Sequence, residues 1–278
     1  MKHVLKAAIL GLTATGAMAD VSVERGEYLV TGPMGCGNCH TPQGADGPIP
    51  GAELSGMLVD QNPGFTAIAS NITPAGDIAD WSDDELAKAI REGIRPDGSV
   101  IGPPMPIGLY RHISDDDLGS IVAYLRTVHA VENDPGKSVY NIPLPPAYGP
   151  PLTSVSAPAE GETAEWGGYV ASISHCFECH STPVEGVPDL AGHYGQGGLE
   201  FAGPWGVSVA PDITAGEDGI GKYSDADLAA MIQHGIRPDG NRMLPPMPYP
   251  YLAKMTDQDL SAVILYLRSG PTAPPAEM

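Results

Sequence analysis

The 278-residue sequence predicts an all-α protein: two tandem copies of one helical domain joined by a proline-rich linker. Three observations predict it. The second half repeats the first at an offset of 140 to 142 residues. Each copy carries apolar residues at helical spacing behind hydroxyl-plus-acidic start signals. No stretch alternates convincingly with the period of two that marks a half-buried strand.

The repeat rests on matched blocks in the same order. Asn71-Ile72-Thr73 matches Asp212-Ile213-Thr214, and the block from Trp81 to Leu86 matches that from Tyr223 to Leu228. Ile94-Arg95-Pro96-Asp97-Gly98 returns as Ile236-Arg237-Pro238-Asp239-Gly240, and Pro103-Pro104-Met105-Pro106 as Pro245-Pro246-Met247-Pro248. Ser114 to Leu118 corresponds to Thr256 to Leu260.

Within each copy the elements follow one order. A short helix is expected over Glu24 to Val30 and again over Glu165 to Ser174. A Ser-x-x-acidic capping pattern starts a middle helix at Ser82 and at Ser224, with Leu86, Ala89 and Ile90, or Leu228, Met231 and Ile232, on its apolar face. The last helix starts at Ser114 or Thr256. Its apolar positions are Leu118, Ile121, Val122 and Leu125 in one copy and Leu260, Val263, Ile264 and Leu267 in the other. The Gly- and Pro-rich stretches between read as loop. The segment from Pro135 to Glu162 is too rich in proline for helix and reads as an extended linker. The resulting division is a leader at 1–19, domains at 20–134 and 163–270, a linker at 135–162 and a frayed tail at 271–278.

The leader has the form of a secretory signal. Lys2, His3 and Lys6 precede an apolar run from Ala7 to Ala14, and Ala17-Met18-Ala19 fits the small-x-small cleavage rule. The run is shorter than the roughly 20 apolar residues a membrane span needs. Export through the Sec route to the periplasm is therefore expected, with no transmembrane segment after cleavage and a mature chain beginning near Asp20. Thirty-four acidic residues against 14 basic ones give a net charge of −20, the wrong sign for nucleic acid. That charge suits long-range attraction of basic protein partners. Aromatic content of 6%, with three phenylalanines, is thin for two cores made of protein alone.

All four cysteines fall in two identical motifs, Cys36-Gly37-Asn38-Cys39-His40 and Cys176-Phe177-Glu178-Cys179-His180. Cys-x-x-Cys-His is the attachment sequence for c-type haem. Two thiols at this spacing each bond a vinyl-derived carbon of one porphyrin, and the adjoining histidine reaches the iron. Two covalent haems are therefore expected on Cys36 and Cys39 and on Cys176 and Cys179, with His40 and His180 as proximal iron ligands. The other ring nitrogen should donate to a backbone carbonyl, for which the stretches around Pro50 and Pro188 are the candidates. A four-cysteine zinc site is the rival reading. It sits poorly with pairs 140 residues apart, each followed by histidine, in an exported chain.

Met105 and Met247 are the only methionines at matched positions downstream of the motifs, each inside Pro-Pro-Met-Pro, whose prolines stiffen the loop. They are the candidate sixth ligands. Met243 competes in the second copy, but Ile101 stands at its place in the first; Met34 and Met57 also lack partners. His/Met ligation fills both axial positions and favours outer-sphere electron transfer over oxygen or peroxide chemistry. Trp81 and Tyr223 could bond a haem propionate or simply pack beside the middle helix. Arg95 and Arg237 could do the same or serve a turn. His112, His129, His175, His193 and His234 have no repeat partner and read as surface residues.

The order of these motifs resembles class I cytochrome c domains, above all those in the multihaem cytochrome subunits of periplasmic alcohol, aldehyde and sugar-acid dehydrogenases. The resemblance runs from about Glu24 to Leu267. It implies two tandem class I cytochrome c domains, with first and last helices crossing at Gly26 and Tyr124 and at Gly168 and Tyr266. It also implies a dihaem carrier, not an enzyme, passing single electrons from a dehydrogenase to a downstream respiratory acceptor such as a cytochrome or oxidase. The alternative is a dihaem redox enzyme, a peroxidase or an oxidase of a small sulfur compound. Two departures stand out: such subunits commonly carry three haem domains where two are read here, and Gly219-Ile220-Gly221 is replaced by Ile78-Ala79-Asp80 in the first copy.

Overall fold

The computed structural model describes residues 21–272 apart from residue 46. The leader at 1–19 and residues 273–278 of the tail lie outside the described residues. The first repeat runs α1 (Val23–Thr31), α2 (Gly37–His40), β1 (Gln43–Gly44), β2 (Gly47–Pro48), β3 (Met57–Asn62), β4 (Phe65–Ala69), α3 (Asp83–Glu92), α4 (Ile107–Tyr110) and α5 (Asp115–Thr127). β5 (Val139–Tyr140) lies in the linker. The second repeat runs α6 (Ala164–Ile173), α7 (Cys176–His180), β6 (Pro183–Val184), β7 (Val187–Pro188), β8 (Glu200–Gly203), β9 (Gly206–Val209), α8 (Asp225–His234), α9 (Tyr249–Leu252) and α10 (Asp257–Arg268). No helix among the described residues is long and apolar enough to cross a membrane.

The all-α expectation is corrected. The structure is 32% helical with 13% strand in several small sheets, so its class is mixed. The strands are two to six residues long. At that length, interrupted by Gly and Pro, a period-two pattern has no room to declare itself. Among the described residues, four antiparallel sheets result: β1–β2, β3–β4–β5, β6–β7 and β8–β9. Within the linker, Val139 and Tyr140 pair with Thr66 and Phe65 and form the third strand of a sheet.

Local chemistry accounts for the helices. Ser82 accepts from the Glu85 N–H while the Glu85 carboxylate takes the Ser82 N–H, a complete capping box, and Ser224 with Asp227 repeats it. Ser114 and Thr256 cap α5 and α10 by the side-chain half alone, accepting from the N–H of Asp117 and of Asp259. α1 crosses α5 and α6 crosses α10 so closely that only glycine fits at the crossing. A Cβ on Gly26 would lie 1.9 Å from the Ser120 carbonyl oxygen, and one on Gly167 would lie 1.9 Å from that of Ala262. The second crossing therefore falls on Gly167, not on Gly168, whose nearest neighbour is the Tyr266 ring. One continuous core includes Leu29, Ile121 and Leu125 of the first repeat with Val170, Phe177 and Val263 of the second.

The repeats meet in a pseudo-two-fold exchange of side chains. Tyr28 of the first repeat donates to the Asp259 carboxylate of the second and accepts from the Thr256 N–H. Tyr169 of the second donates to Asp117 of the first at 2.6 Å and accepts from the Ser114 N–H at 3.2 Å. Both aspartates are buried at the first turn of a last helix, where the helix N-terminus favours a negative charge. Within the repeats, Arg25 grips Asp117 through two bonds of 2.7 and 2.9 Å, and Trp166 Nε1 donates to Asp259 at 2.6 Å. The Arg25 guanidinium also lies over the Trp166 ring, 5.6 Å from its centre. Tyr169→Phe leaves a buried carboxylate and a helix N–H each short of a partner. It should cost about 2 kcal/mol in chemical denaturation, and a loss below a few tenths would mean that the clasp does not stabilise the pairing.

Candidate functional site

Each Cys-x-x-Cys-His motif forms a single helical turn. The His40 N–H donates to the Cys36 carbonyl at 2.9 Å, and the Thr41 N–H to that of Gly37 at 3.0 Å. Residues three and four apart share a helix face, so the turn presents Cys36, Cys39 and His40 together; α7 does the same with Cys176, Cys179 and His180. All four thiols are unbridged and half-buried. Burial pushes the Cys36 and Cys176 thiols up to about 12, which keeps them protonated. Cys179 is raised to about 12 by burial first, then by the neighbouring Glu178 and by Cys39 across the interface.

The histidines are held as expected in kind but not in place. His40 Nδ1 lies 2.7 Å from the Ser70 carbonyl and His180 Nδ1 lies 2.8 Å from that of Pro211. The carbonyls assigned to the Pro50 and Pro188 stretches are thus replaced by those at the ends of β4 and β9, which the two hairpins bring back over the ring. A carbonyl oxygen only accepts, so Nδ1 carries the proton and Nε2 is left for a metal. Burial lowers the pKa of both imidazoles, against which the carbonyl bond acts. The backbone is pinned alike in both copies: Gly56 N–H donates to the His40 carbonyl and Gly197 N–H to that of His180, each at 2.7 Å.

The methionine loops are also duplicated. Pro103–Pro104 and Pro245–Pro246 are both cis. Immediately after, the Ile107 N–H closes onto the Met105 carbonyl at 2.8 Å and the Tyr249 N–H onto that of Met247 at 2.9 Å. Pro106 and Pro248, with φ near −83° and −85°, sit at the centres of these inverse γ-turns. Met105 and Met247 are half-buried against the core. In the first repeat the linker adds two braces, from Tyr140 Oη to the Pro103 carbonyl and from Tyr148 Oη to that of Ile101, both 2.8 Å. Met243 and Ile101 occupy one position, each donating its N–H to the glycine that ends the middle helix.

These donors fit covalent haem: two protonated thiols on one turn, an imidazole already oriented through Nδ1, and a thioether on a loop held by its own backbone. Among the described residues, no group of three or more His, Cys, Asp or Glu side chains is arranged to hold a metal ion by itself. Arg95 closes its own turn, donating to the Val100 carbonyl at 3.1 Å while its N–H bonds the Ser99 carbonyl. Trp81 and Tyr223 pack against the core, and their carbonyls are held by Arg126 and Arg268.

Three features escape a reading of the sequence by motif. Arg126 and Arg268 tie the last helix to the start of the middle one through Asp83 and Asp225; their exact match at an offset of 142 was the available signal. Asp117 and Asp259 carried the same signal. His175 is half-buried at the interface, with the Tyr110 ring 6.2 Å away in an edge contact. From the other side, Tyr251 packs on Gly35 and Gly37, which flank Cys36. The short helix after each methionine loop therefore rests on the cysteine turn of the other repeat.

The cytochrome c family model matches residues 23–129 and 168–271. The cytochrome subunit of fructose dehydrogenase from Gluconobacter japonicus is 32% identical over 270 residues, covering 90% of this chain and 53% of that protein. The gluconate 2-dehydrogenase cytochrome c subunit of Pantoea cypripedii is 30% identical over 298 residues, covering 97% of the chain and 65% of that protein. A protein of Cereibacter sphaeroides named as a dihaem cytochrome c is 27% identical over 260 residues, covering 85% and 82%. The chain spans about half the length of the first of these relatives and just under two thirds of the second.

Proposed function

The chain belongs to the cytochrome c family, and on that footing we propose that it is a periplasmic dihaem carrier that takes single electrons from a dehydrogenase and passes them to a downstream respiratory acceptor. The relatives named as cytochrome subunits of fructose and gluconate dehydrogenases support a dehydrogenase as donor. The observation that carries the reading is the duplication of the whole donor set. Each repeat keeps the cysteine turn, a histidine bonded through Nδ1 to a carbonyl just past a hairpin, and a methionine that opens an inverse γ-turn. In this reading Cys36, Cys39, Cys176 and Cys179 would hold the porphyrins, and His40 with Met105, and His180 with Met247, would hold the two irons.

Bound haem supplies a one-electron iron couple. The protein's own part is to keep the surroundings nearly unchanged between the two charge states. The carbonyls of Ser70 and Pro211 fix the imidazole planes, and the γ-turns restrict the thioethers, so little movement accompanies a change of charge. His40 with Met105, and His180 with Met247, would offer each iron two protein donors, an arrangement suited to electron transfer, which favours the carrier over a peroxidase or sulfur-compound oxidase. The crossed contacts of Tyr110 with His175 and of Tyr251 with Gly37 bring the cysteine turns to one interface, as a two-centre relay requires.

Protein matured in a host that attaches c-type haem should weigh two haems more than its polypeptide by intact mass. Cys36→Ser with Cys39→Ser should remove one haem and keep the other. A mass equal to that of the bare chain would sink the reading.

A further inference from the structure

Among the described residues, the hairpin that brings the carbonyl to each histidine is partnered by a third strand in one repeat and by none in the other. In the first, β4 is the middle strand of three. Thr66 and Phe65 pair with Val139 and Tyr140 of the linker. The Ser138 hydroxyl accepts from the Ile68 N–H at 2.9 Å and donates to the Ile68 carbonyl at 3.1 Å. Asn141 covers the turn, donating to the carbonyls of Gly64 and Pro63. No residue of β4 is exposed.

Among the described residues, β8 and β9 of the second repeat stand as a pair. Val207 and Val209 occupy the places of Thr66 and Ile68, at an offset of 141. Gly203 pairs with Gly206 across a two-residue turn. Antiparallel pairs alternate between bonded and unbonded, so the N–H and C=O of Val207 and Val209 point away from β8. Val207 and Val209 are 58% and 55% exposed, and Trp205 at the turn is 38% exposed. An apolar strand edge with outward donors and acceptors is a template for another strand.

We propose that the free edge of β9 docks an extended segment of a partner polypeptide, laid antiparallel to it as residues 138–141 lie against β4. The internal copy states what fits: a small hydroxyl side chain opposite Val209, a β-branched residue opposite Val207, and a side-chain amide over the turn. Main-chain bonds supply affinity in such strand addition, and alternate side chains supply selectivity. The net charge of −20 calls for a basic flank on the incoming segment, the position that Lys137 holds in the copy. Val209 lies two residues before Pro211, whose carbonyl holds His180. A partner docked there would sit beside the second haem site. The inference does not depend on which protein donates electrons.

The test is an NMR titration of the reduced, isotope-labelled dihaem protein with a synthetic peptide covering residues 135–142. Saturable shifts confined to the amides of Trp205 to Val209 are expected. Val207→Pro and Val209→Pro remove outward donors while sparing the ladder to β8, and each should weaken binding about tenfold, the worth of one lost hydrogen bond. A peptide N-methylated at its valine should lose affinity by a similar factor against the unaltered protein. Absent shifts, shifts elsewhere, or equal binding by the N-methylated peptide would overturn the proposal. So would a dimer in sedimentation that the same proline variants dissociate, since the edge would then serve a second copy of this chain.

Discussion

Met105→His is expected to lower the potential of one haem by on the order of 0.1 V or more, a modest share of the roughly 0.8 V that axial ligands command. Met247→His should do the same to the other. A thioether is a soft, weak donor that favours ferrous iron, whereas a second imidazole stabilises the ferric state, so the direction of both shifts is fixed. The loop should tolerate the exchange, because its shape comes from the γ-turn centred on Pro106 or Pro248, not from the methionine side chain. Redox titration followed at the haem absorbance would resolve the two centres. Neither potential falling would place the sixth ligands elsewhere. A fall for Met105→His alone, joined by one for Met243→His, would transfer the second assignment to Met243.

The largest effect on stability is expected at the helix crossings. Gly167→Ala drives a methyl group to 1.9 Å from the Ala262 carbonyl oxygen, and Gly26→Ala does the same at Ser120. The obstacle in each case is backbone in a helix, which yields only if the whole crossing opens. Alanine's helix advantage of about 1 kcal/mol is therefore overwhelmed, and a net loss of about 3 kcal/mol or a failure to fold is expected. Gly168→Ala meets only the Tyr266 ring, at 3.0 Å, and should cost less than about 1.5 kcal/mol. Denaturant unfolding of the three variants gives the comparison, and equal losses at Gly167 and Gly168 would mean that the crossing is not where it is placed here.

That ranking shows where the sequence was legible and where it was not. The repeat, the four capped helices and both cysteine turns were legible because each is written in local chemistry: a hydroxyl three residues before an acid, apolar residues at helical spacing, thiols three apart. Gly167 and Gly168 are adjacent and chemically identical, and only the register of α6 on α10 separates them. The hairpins were missed for a related reason. Phe65–Ala69 is five residues long, and its third strand comes from Val139 and Tyr140, more than seventy positions away in a stretch dominated by proline. The carbonyls at Ser70 and Pro211 follow from those hairpins, so misplacing the strands also misplaced the partners of His40 and His180. The interface lay in plain sight as repeated Tyr28 and Tyr169, Asp117 and Asp259. Nothing in either copy alone, however, says that these pairs cross from one half to the other.

That crossing governs what happens if the chain is cut in two. Each severed half would carry away a tyrosine cut off from its acid and an aspartate cut off from its phenol, and the half bearing Trp166 would also lose the guanidinium of Arg25 from its ring face. Duplication has thus produced neither a pair of independent small proteins nor a string of beads. The halves are bound to melt together, and a lesion in one is felt by its twin.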